Sequence, residues 1–275
     1  IAELLPEGQL PPHQARIQAR VSGDEPRMLV YHGLGSGKSL SAIAAAEAAK
    51  KVHGENYGVV VPASLKGNFQ KEIKKFTTGS DPEIMSYTGL GMGKKFKNPP
   101  ETLIMDEAAR LRNPEAKSTA AAMEAARHAK RLMLLTGTPI TNTPSDLASI
   151  VSMLNNEKIT PDAFENRFVG YRKVRPGLMG WLRGAKPGVK PFVRNEGELR
   201  ELLKGKVDYQ PSKTPEGVNV NEQVVRVPLS EDQNRIQHAI RTKIPPGFLW
   251  KLDQEFPLSK DELSKRNHSA STATR

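Results

Sequence analysis

The chain has 275 residues, 37% of them hydrophobic, enough to bury one sizeable core or two modest ones and too many for disorder throughout. Its 41 Lys and Arg against 30 Asp and Glu leave a formal charge of +11, which favours a polyanionic partner such as nucleic acid over an acidic substrate. The absence of cysteine excludes disulfides, thiolate metal sites and cysteine nucleophiles, and the six histidines stand singly rather than at ligand spacing.

In chain order, Leu4 to Arg20 carries apolar residues at roughly helical spacing, and PRMLVYH at 26–32 is a short apolar run stopped by glycines, which suits a buried parallel strand. A glycine loop follows, and from Lys38 the Ala-rich KSLSAIAAAEAAKKV ends in basic residues before Gly54, as a helix should finish. YGVVVPAS at 57–64 predicts a second buried strand, 65–76 a helix, and ETLIMDEA at 101–108 a strand with its acidic residues at the carboxyl end. Glu115 to Lys130 predicts another Ala-rich helix, and RLMLLTGTP at 131–139 a strand running into a polar turn. TGLGMGKKF at 88–96 imitates a phosphate loop, but Lys95 stands where a hydroxyl is needed and no clear helix follows, so it is expected to be a flexible basic loop.

Strands alternating with helices predict an α/β fold, a parallel central sheet with flanking helices. Ligands of such sheets bind beyond the carboxyl ends of the strands, where GLGSGKS, PAS, DEAA and TGTP all emerge. After Asn155 the pattern weakens, and 156–212 is expected to be a basic insert. Within it, 167–194 holds eight Lys and Arg, among them Arg172, Lys173 and Arg175, without one Asp or Glu. Its aromatic residues Phe168, Tyr171, Trp181 and Phe192 suit either a surface that tracks a DNA backbone or a solvated loop folded onto its own domain. VNVNEQVVRVPLS at 218–230 predicts a strand, and the following helix has Ser230 as its cap. The expected domains are 1–230 and a helix with a polar segment at 231–275.

Chemistry concentrates in three motifs. In GLGSGKS, Gly33, Gly35, Ser36 and Gly37 would let successive backbone N–H groups face a phosphate, while Lys38 would meet the β/γ charge and Ser39 would hold Mg²⁺. A strict loop of this kind would have glycine at His32, yet the strand before and the helix after supply the confirming context. Asp106 and Glu107, at the end of the apolar strand TLIM, suit a metal-holding carboxylate and a group that orients attacking water. Thr136 and Thr138 place two hydroxyls on the loop after RLMLL. The expected cofactors are ATP and Mg²⁺.

The series GLGSGKS, DEAARLRN (106–113) and LLTGTPITN (134–142) resembles motifs I, II and III of superfamily two helicases. The Asn after the acidic motif and the Asn after TGTPI are most similar to those of the Swi/Snf-type ATPases, which move along double-stranded DNA. The resemblance runs from about Leu10 to Ile240 and implies a RecA-like first lobe in which the insert follows motif III. It implies that Gln14 of PPHQ reads adenine, that Lys38 and Ser39 hold phosphate and Mg²⁺, and that Asp106 and Glu107 serve metal and water. It further implies that Thr136 and Thr138 couple nucleotide state to nucleic acid, and that Pro62, Ala63, Ser64 and Lys66 meet its phosphates.

Departures are equally specific. The usual His of DEAH is Ala109, and nothing downstream resembles a second RecA-like lobe with its arginine finger. The Ile at position 1 and the polar end NHSASTATR suit a fragment whose second lobe lies in further C-terminal sequence. Such a first lobe should bind ATP and hydrolyse it slowly, because an arginine finger is worth about 10³ to 10⁵ in rate in related enzymes. A strand-separating helicase, a restriction-type translocase and a non-hydrolysing nucleotide-gated module remain as alternatives. With neither a secretory signal nor a membrane span, the expected location is intracellular: cytoplasm or nucleoid, or the nucleus of a eukaryote.

Overall fold

The computed structural model describes residues 11–23, 26–33, 35–174, 188–212 and 230–243. The chain begins with α1 (Pro12–Ser22), β1 (Arg27–His32), α2 (Lys38–His53), β2 (Tyr57–Val61), α3 (Lys66–Phe76), β3 (Glu83–Ser86), α4 (Tyr87–Gly91) and β4 (Thr102–Met105). It continues through α5 (Lys117–His128), β5 (Arg131–Thr136), α6 (Ala148–Asn155), α7 (Pro161–Phe168), β6 (Val169–Val174) and β7 (Gly188–Val193). The last elements are α8 (Glu196–Leu203), β8 (Val207–Gln210) and α9 (Glu231–Lys243). Six strands form one sheet in the order β3-β2-β4-β5-β1-β8, and every neighbouring pair is parallel.

All residues of β2 and β4 are buried, as expected where helices cover both faces of a parallel sheet. Alternate residues feed two apolar layers, because successive side chains of a strand point to opposite faces. On one face Leu29, Val60, Leu103, Leu132 and Leu134 pack with Leu111, Ala122, Ile150, Phe164 and Phe168. On the other, Met28, Val30, Val59, Ile104 and Met133 pack with Ile17 and Val21 of α1, Ala42 and Ala46 of α2, and Phe69 of α3. Alanine on the inner face of α2 lets it lie close to both α1 and the sheet. The helix stops at Gly54, whose φ of 70° suits glycine and whose N–H bonds Lys50 O.

Ile1–Val169 with Val193–Pro215 make one compact unit, and Gly170–Phe192 with Glu216–Arg275 another. The six-stranded sheet lies in the first. β6 and β7 pair as a separate two-stranded sheet, in which Arg172 lies over the Phe192 ring at 5.6 Å. At the start of α9, Ser230 and Gln233 exchange side-chain bonds of 3.0 and 3.3 Å, a capping arrangement that agrees with Ser230 as the cap. The strand expected at 218–230 lies outside the described residues, except for Ser230.

Three expectations need correction. The span 156–212 is not all insert: β8 completes the central sheet beside β1, and Leu199 of α8 joins the first apolar layer. The basic loop expected at 88–96 begins as helix α4, with Tyr87, Gly89 and Leu90 buried and Ser86 accepting the Gly89 N–H. The strand β3 was not expected at all, since EIMS is short, polar at both ends and buried only at Ile84 and Met85.

Met133 lies fully buried in β5, between β4 and β1. Met133→Ala is expected to lower unfolding stability by about 2–5 kcal/mol in urea titrations, because a cavity opens where the sheet cannot collapse.

Candidate nucleotide-binding site

β1 ends at His32 and α2 begins at Lys38, with Gly33 and residues 35–37 described between them. Gly35 and Gly37 both have φ of 75°, a conformation that costs an L side chain energy and lets consecutive amides face one side. Gly37 is the N-cap of α2 and brings no capping side chain, so the first amides of the helix face outward as an anion site. Lys38 Nζ donates to His32 O at 2.9 Å and Gly33 O at 3.4 Å, and Ser36 Oγ donates to Gly33 O at 2.8 Å. Ser39 follows, half-buried, in the first turn of α2.

Two strands away, Asp106 follows β4 and is 7% exposed. Its Oδ1 accepts the Glu107 N–H at 3.0 Å, and its carbonyl accepts the Tyr87 hydroxyl at 2.8 Å. Burial, and then the neighbouring charge of Glu107, push the Asp106 carboxyl up to about 6, while the charge of Lys38 opposes the rise. Glu107 has φ of 52° and ψ of 47°, a left-handed conformation rare outside glycine and typical of strained functional turns. Ala109, where a DEAH motif has His, sits in the 3-10 turn that follows.

Between these loops, β5 ends at buried Thr136, whose Oγ1 accepts the Thr138 N–H at 3.1 Å. A Cβ built on Gly137 would lie 3.5 Å from Lys38 Nζ, so the loop after β5 abuts the phosphate lysine. Asp146 fixes the rest of that loop: its Oδ2 accepts the N–H groups of Thr141, Asn142 and Thr143 at 2.9, 2.7 and 3.4 Å.

Helix α1 closes the remaining side. Gln14 is 5% exposed, its Nε2 would lie 3.0 Å from a Cβ on Gly37, and its Oε1 is buried without a partner. His13 Nε2 donates to Ser36 O at 3.0 Å; a carbonyl oxygen can only accept, which fixes that ring nitrogen as the donor. His32 is fully buried, and its Nε2 lies 2.8 Å from Asp208 Oδ1. Burial lowers the His32 imidazole below its ordinary value, partly offset by Asp208. Burial alone would raise Asp208, but hydrogen bonds from Arg16 and His32 outweigh it and hold the carboxyl below the usual range.

The structure therefore brings Gln14, Gly33, Gly35, Ser36, Gly37, Lys38, Ser39, Asp106, Glu107, Thr136 and Thr138 to one rim of the sheet. Ser64 lies exposed in the 3-10 turn Ala63–Leu65, and Lys66 is exposed at the start of α3, outside the hydrogen-bonded group of the phosphate loop and Asp106. Arg172 and Lys173 are exposed on β6, in the other unit, and Arg175 lies outside the described residues. Asp146, Asp208, Tyr87 and Arg16 are site residues that the sequence did not single out. Only the Thr143–Asp146 spacing of a capping box could have flagged one of them.

The residues suit a magnesium nucleotide. Gln14 Oε1 is a buried acceptor in need of a donor, the start of α2 presents uncapped amides, and the elevated Asp106 carboxyl would be relieved by a cation. Among the described residues no group of three His, Asp or Glu is placed to hold a metal, so Mg²⁺ here would depend on phosphate and water oxygens as well as Ser39 and Asp106.

Residues 93–173 match the family described as the SNF2-related domain. A Bos taurus SWI/SNF-related matrix-associated actin-dependent regulator of chromatin, subfamily A-like protein 1, is 30% identical over 201 residues, covering 66% of this chain and 21% of its own. A protein of Acanthamoeba polyphaga mimivirus that carries an ATP-dependent RNA helicase name is 26% identical over 260 residues, covering 78% of this chain and 43% of its own. The Sulfolobus solfataricus SWI2/SNF2 ATPase core in complex with double-stranded DNA superposes with a TM-score of 0.54 at 21% identity, over 74% of this chain and 45% of that one.

The chain is similar to Swi/Snf proteins over these residues.

Its parallel six-stranded sheet with flanking helices shares the fold of that SWI2/SNF2 ATPase core. The chain spans less than half the length of the curated relatives it matches. Among the described residues, no helix is long and apolar enough to cross a membrane.

The elevated Asp106 carboxyl predicts a trade between stability and function. A carboxyl near 3.8 in the unfolded chain and about 6 in the folded one favours folding while protonated, and that contribution is lost as pH rises through 6. The gap of about two pH units corresponds to about 3 kcal/mol at most. Asp106→Asn is therefore expected to raise the urea midpoint of the nucleotide-free chain at pH 7.5 and to leave it nearly unchanged at pH 4. A lower midpoint at pH 7.5 would contradict this account of Asp106.

Proposed function

We propose that this chain is the ATP-binding lobe of a DNA-dependent ATPase and translocase that couples ATP hydrolysis to movement on double-stranded DNA. The observation that carries the proposal is the convergence of Lys38, Asp106 and the Gly137 loop at one end of the parallel sheet. Three loops distant in sequence meet there, with a buried, orphaned Gln14 oxygen beside them.

The residue roles follow from position. Backbone amides of 35–39 and the Lys38 ammonium would receive the phosphates, with Lys38 leaving its resting acceptors His32 O and Gly33 O. Gln14 would offer Oε1 to an exocyclic amine, the pattern of adenine. Ser39 and Asp106 would hold Mg²⁺, which when bound supplies charge neutralisation to the phosphoryl oxygens. Glu107, half-buried beside Asp106 in a left-handed turn, would orient the attacking water. Thr136 and Thr138, whose loop abuts Lys38, would pass the state of the phosphates to the nucleic acid. Ser64 and Lys66, exposed beyond β2, and Arg172, Lys173 and Arg175 would contact DNA phosphates.

Support for double-stranded DNA comes from the net charge of +11 and from the DNA carried by the Sulfolobus core. The helicase name of the mimivirus relative favours a second reading, action on RNA or on separated strands. Full turnover would need a second RecA-like lobe, supplied by further sequence of the same protein or by another chain, to bring an arginine finger. A protein of this activity would work inside the cell, in cytoplasm, nucleoid or nucleus.

Glu107→Gln separates hydrolysis from mere binding. Radiolabelled ATP is expected to be turned over slowly by the wild-type chain, faster with duplex DNA than with single strands or RNA. The Gln variant should retain bound ATP while losing at least about a hundredfold in turnover. Equal turnover in both proteins would reject the assignment of Glu107, and preferential stimulation by RNA would favour the second reading.

A further inference from the structure

The most heavily invested polar cluster outside the phosphate loop is centred on Asp208, in the edge strand β8. The residue is 2% exposed in a strand whose other three residues are not buried. Its Oδ2 accepts Arg16 Nε at 2.5 Å, and its Oδ1 accepts both Arg16 Nη2 at 2.9 Å and the buried His32 Nε2 at 2.8 Å. Arg20 Nη1 stands 3.7 Å from Oδ2. A carboxylate so enclosed keeps its charge because the guanidinium grips it in a bidentate fork and the imidazole adds a third bond. Removal of one partner leaves a buried charge uncompensated.

Each element held by this carboxylate leads to the nucleotide. Arg16 lies on α1 two residues after Gln14, and His13, one residue before Gln14, donates to Ser36 O of the phosphate loop. His32 is the last residue of β1, its ring meets that of His13 edge-on at 5.5 Å, and its carbonyl is the resting acceptor of Lys38. The charged or titratable groups facing His32 are thus Asp208 from β8, His13 and Arg16 from α1, and Lys38 at its carbonyl. Helix α1 carries the base-reading amide but belongs to no strand ladder. At its C-terminal end it is held by Arg131, which donates to Val21 O at 2.6 Å and Gly23 O at 3.0 Å, and by apolar contact through Ile17 and Val21; at the end that carries Gln14, the polar bonds are those to Asp208 and Ser36 O.

We propose that Asp208 is a positioning residue for base selection: through Arg16 and His32 it sets α1 against the phosphate loop, so that Gln14 meets adenine while Lys38 and Ser39 hold the phosphates of the same nucleotide. The proposal rests on the ATP reading above. It extends the site to the far edge of the sheet, into a segment that the charge pattern assigned to an insert. Asp208 touches neither base nor phosphate in this account, and its effect is carried entirely by α1.

Equilibrium binding of fluorescent ATP and GTP analogues, with inorganic triphosphate as competitor and Mg²⁺ throughout, tests the proposal, with a thermal melt of each variant beside it. Asp208→Asn and Arg16→Gln are each expected to weaken ATP about tenfold while changing GTP and triphosphate less than about twofold, and Arg16→Lys should recover part of the loss. Equal weakening of all three ligands, or unchanged ATP affinity, would overturn the proposal and leave the ATP reading standing. A wild-type chain that binds ATP no better than GTP and triphosphate would overturn the base reading of Gln14 and this inference with it. Should Asp208→Asn fail to fold, Arg16→Gln decides alone, since that side chain is 46% exposed and its loss leaves the His32 bond to Asp208 in place.

Discussion

Parallel strands can be joined only by crossovers that return over the faces of the sheet, so each strand-to-helix loop leaves the same end. That constraint governs this molecule. Lys38, Glu107 and Gly137 belong to three connections spread over a hundred residues, yet the order β4-β5-β1 sets their strands side by side. Had one of those strands run antiparallel, its motif would sit at the opposite end of the sheet and the chemistry would be divided.

The same convergence creates an electrostatic difficulty. Asp106 is buried next to Glu107, and burial together with that neighbouring charge pushes its carboxyl up to about 6. The fold tolerates this because hydrogen bonds hold the backbone around it, with Tyr87 on the Asp106 carbonyl and the Glu107 amide on its side chain. Asp208 meets a comparable burial in the opposite way, with an arginine fork and a histidine as permanent partners. One carboxylate is neutralised by the fold itself, and the other is left in need of a cation. That contrast separates a group that positions from a group held ready for a ligand.

Legibility in the sequence followed the same physics. β1, β2, β4 and β5 were visible as apolar runs because both their faces are covered, and α2 was visible from its alanines and its terminal glycine. β8 was invisible because its inward residue is a carboxylate: VDYQ inverts the hydropathy alternation that marks a half-buried strand, and its partners Arg16 and His32 are 192 and 176 positions away. β3 was missed because only two of its four residues are buried at the sheet's edge. In the site, Lys38, Asp106 and Thr136 were legible as local motifs, whereas Asp146 and Asp208 act on backbone amides or on residues of other elements, which no spacing rule reports.

The central claim is that the rim formed by 33–39, Asp106 and 136–138 is a magnesium–nucleotide site, and calorimetric titration of Mg·ATP into the purified chain addresses it most directly. The account predicts saturable binding at one site per chain, weakened by at least about tenfold in Lys38→Ala, because the substitution removes the charge-assisted contact to phosphate. Equal binding by the Lys38→Ala variant, or no binding by the folded wild-type chain at millimolar Mg·ATP, would contradict it.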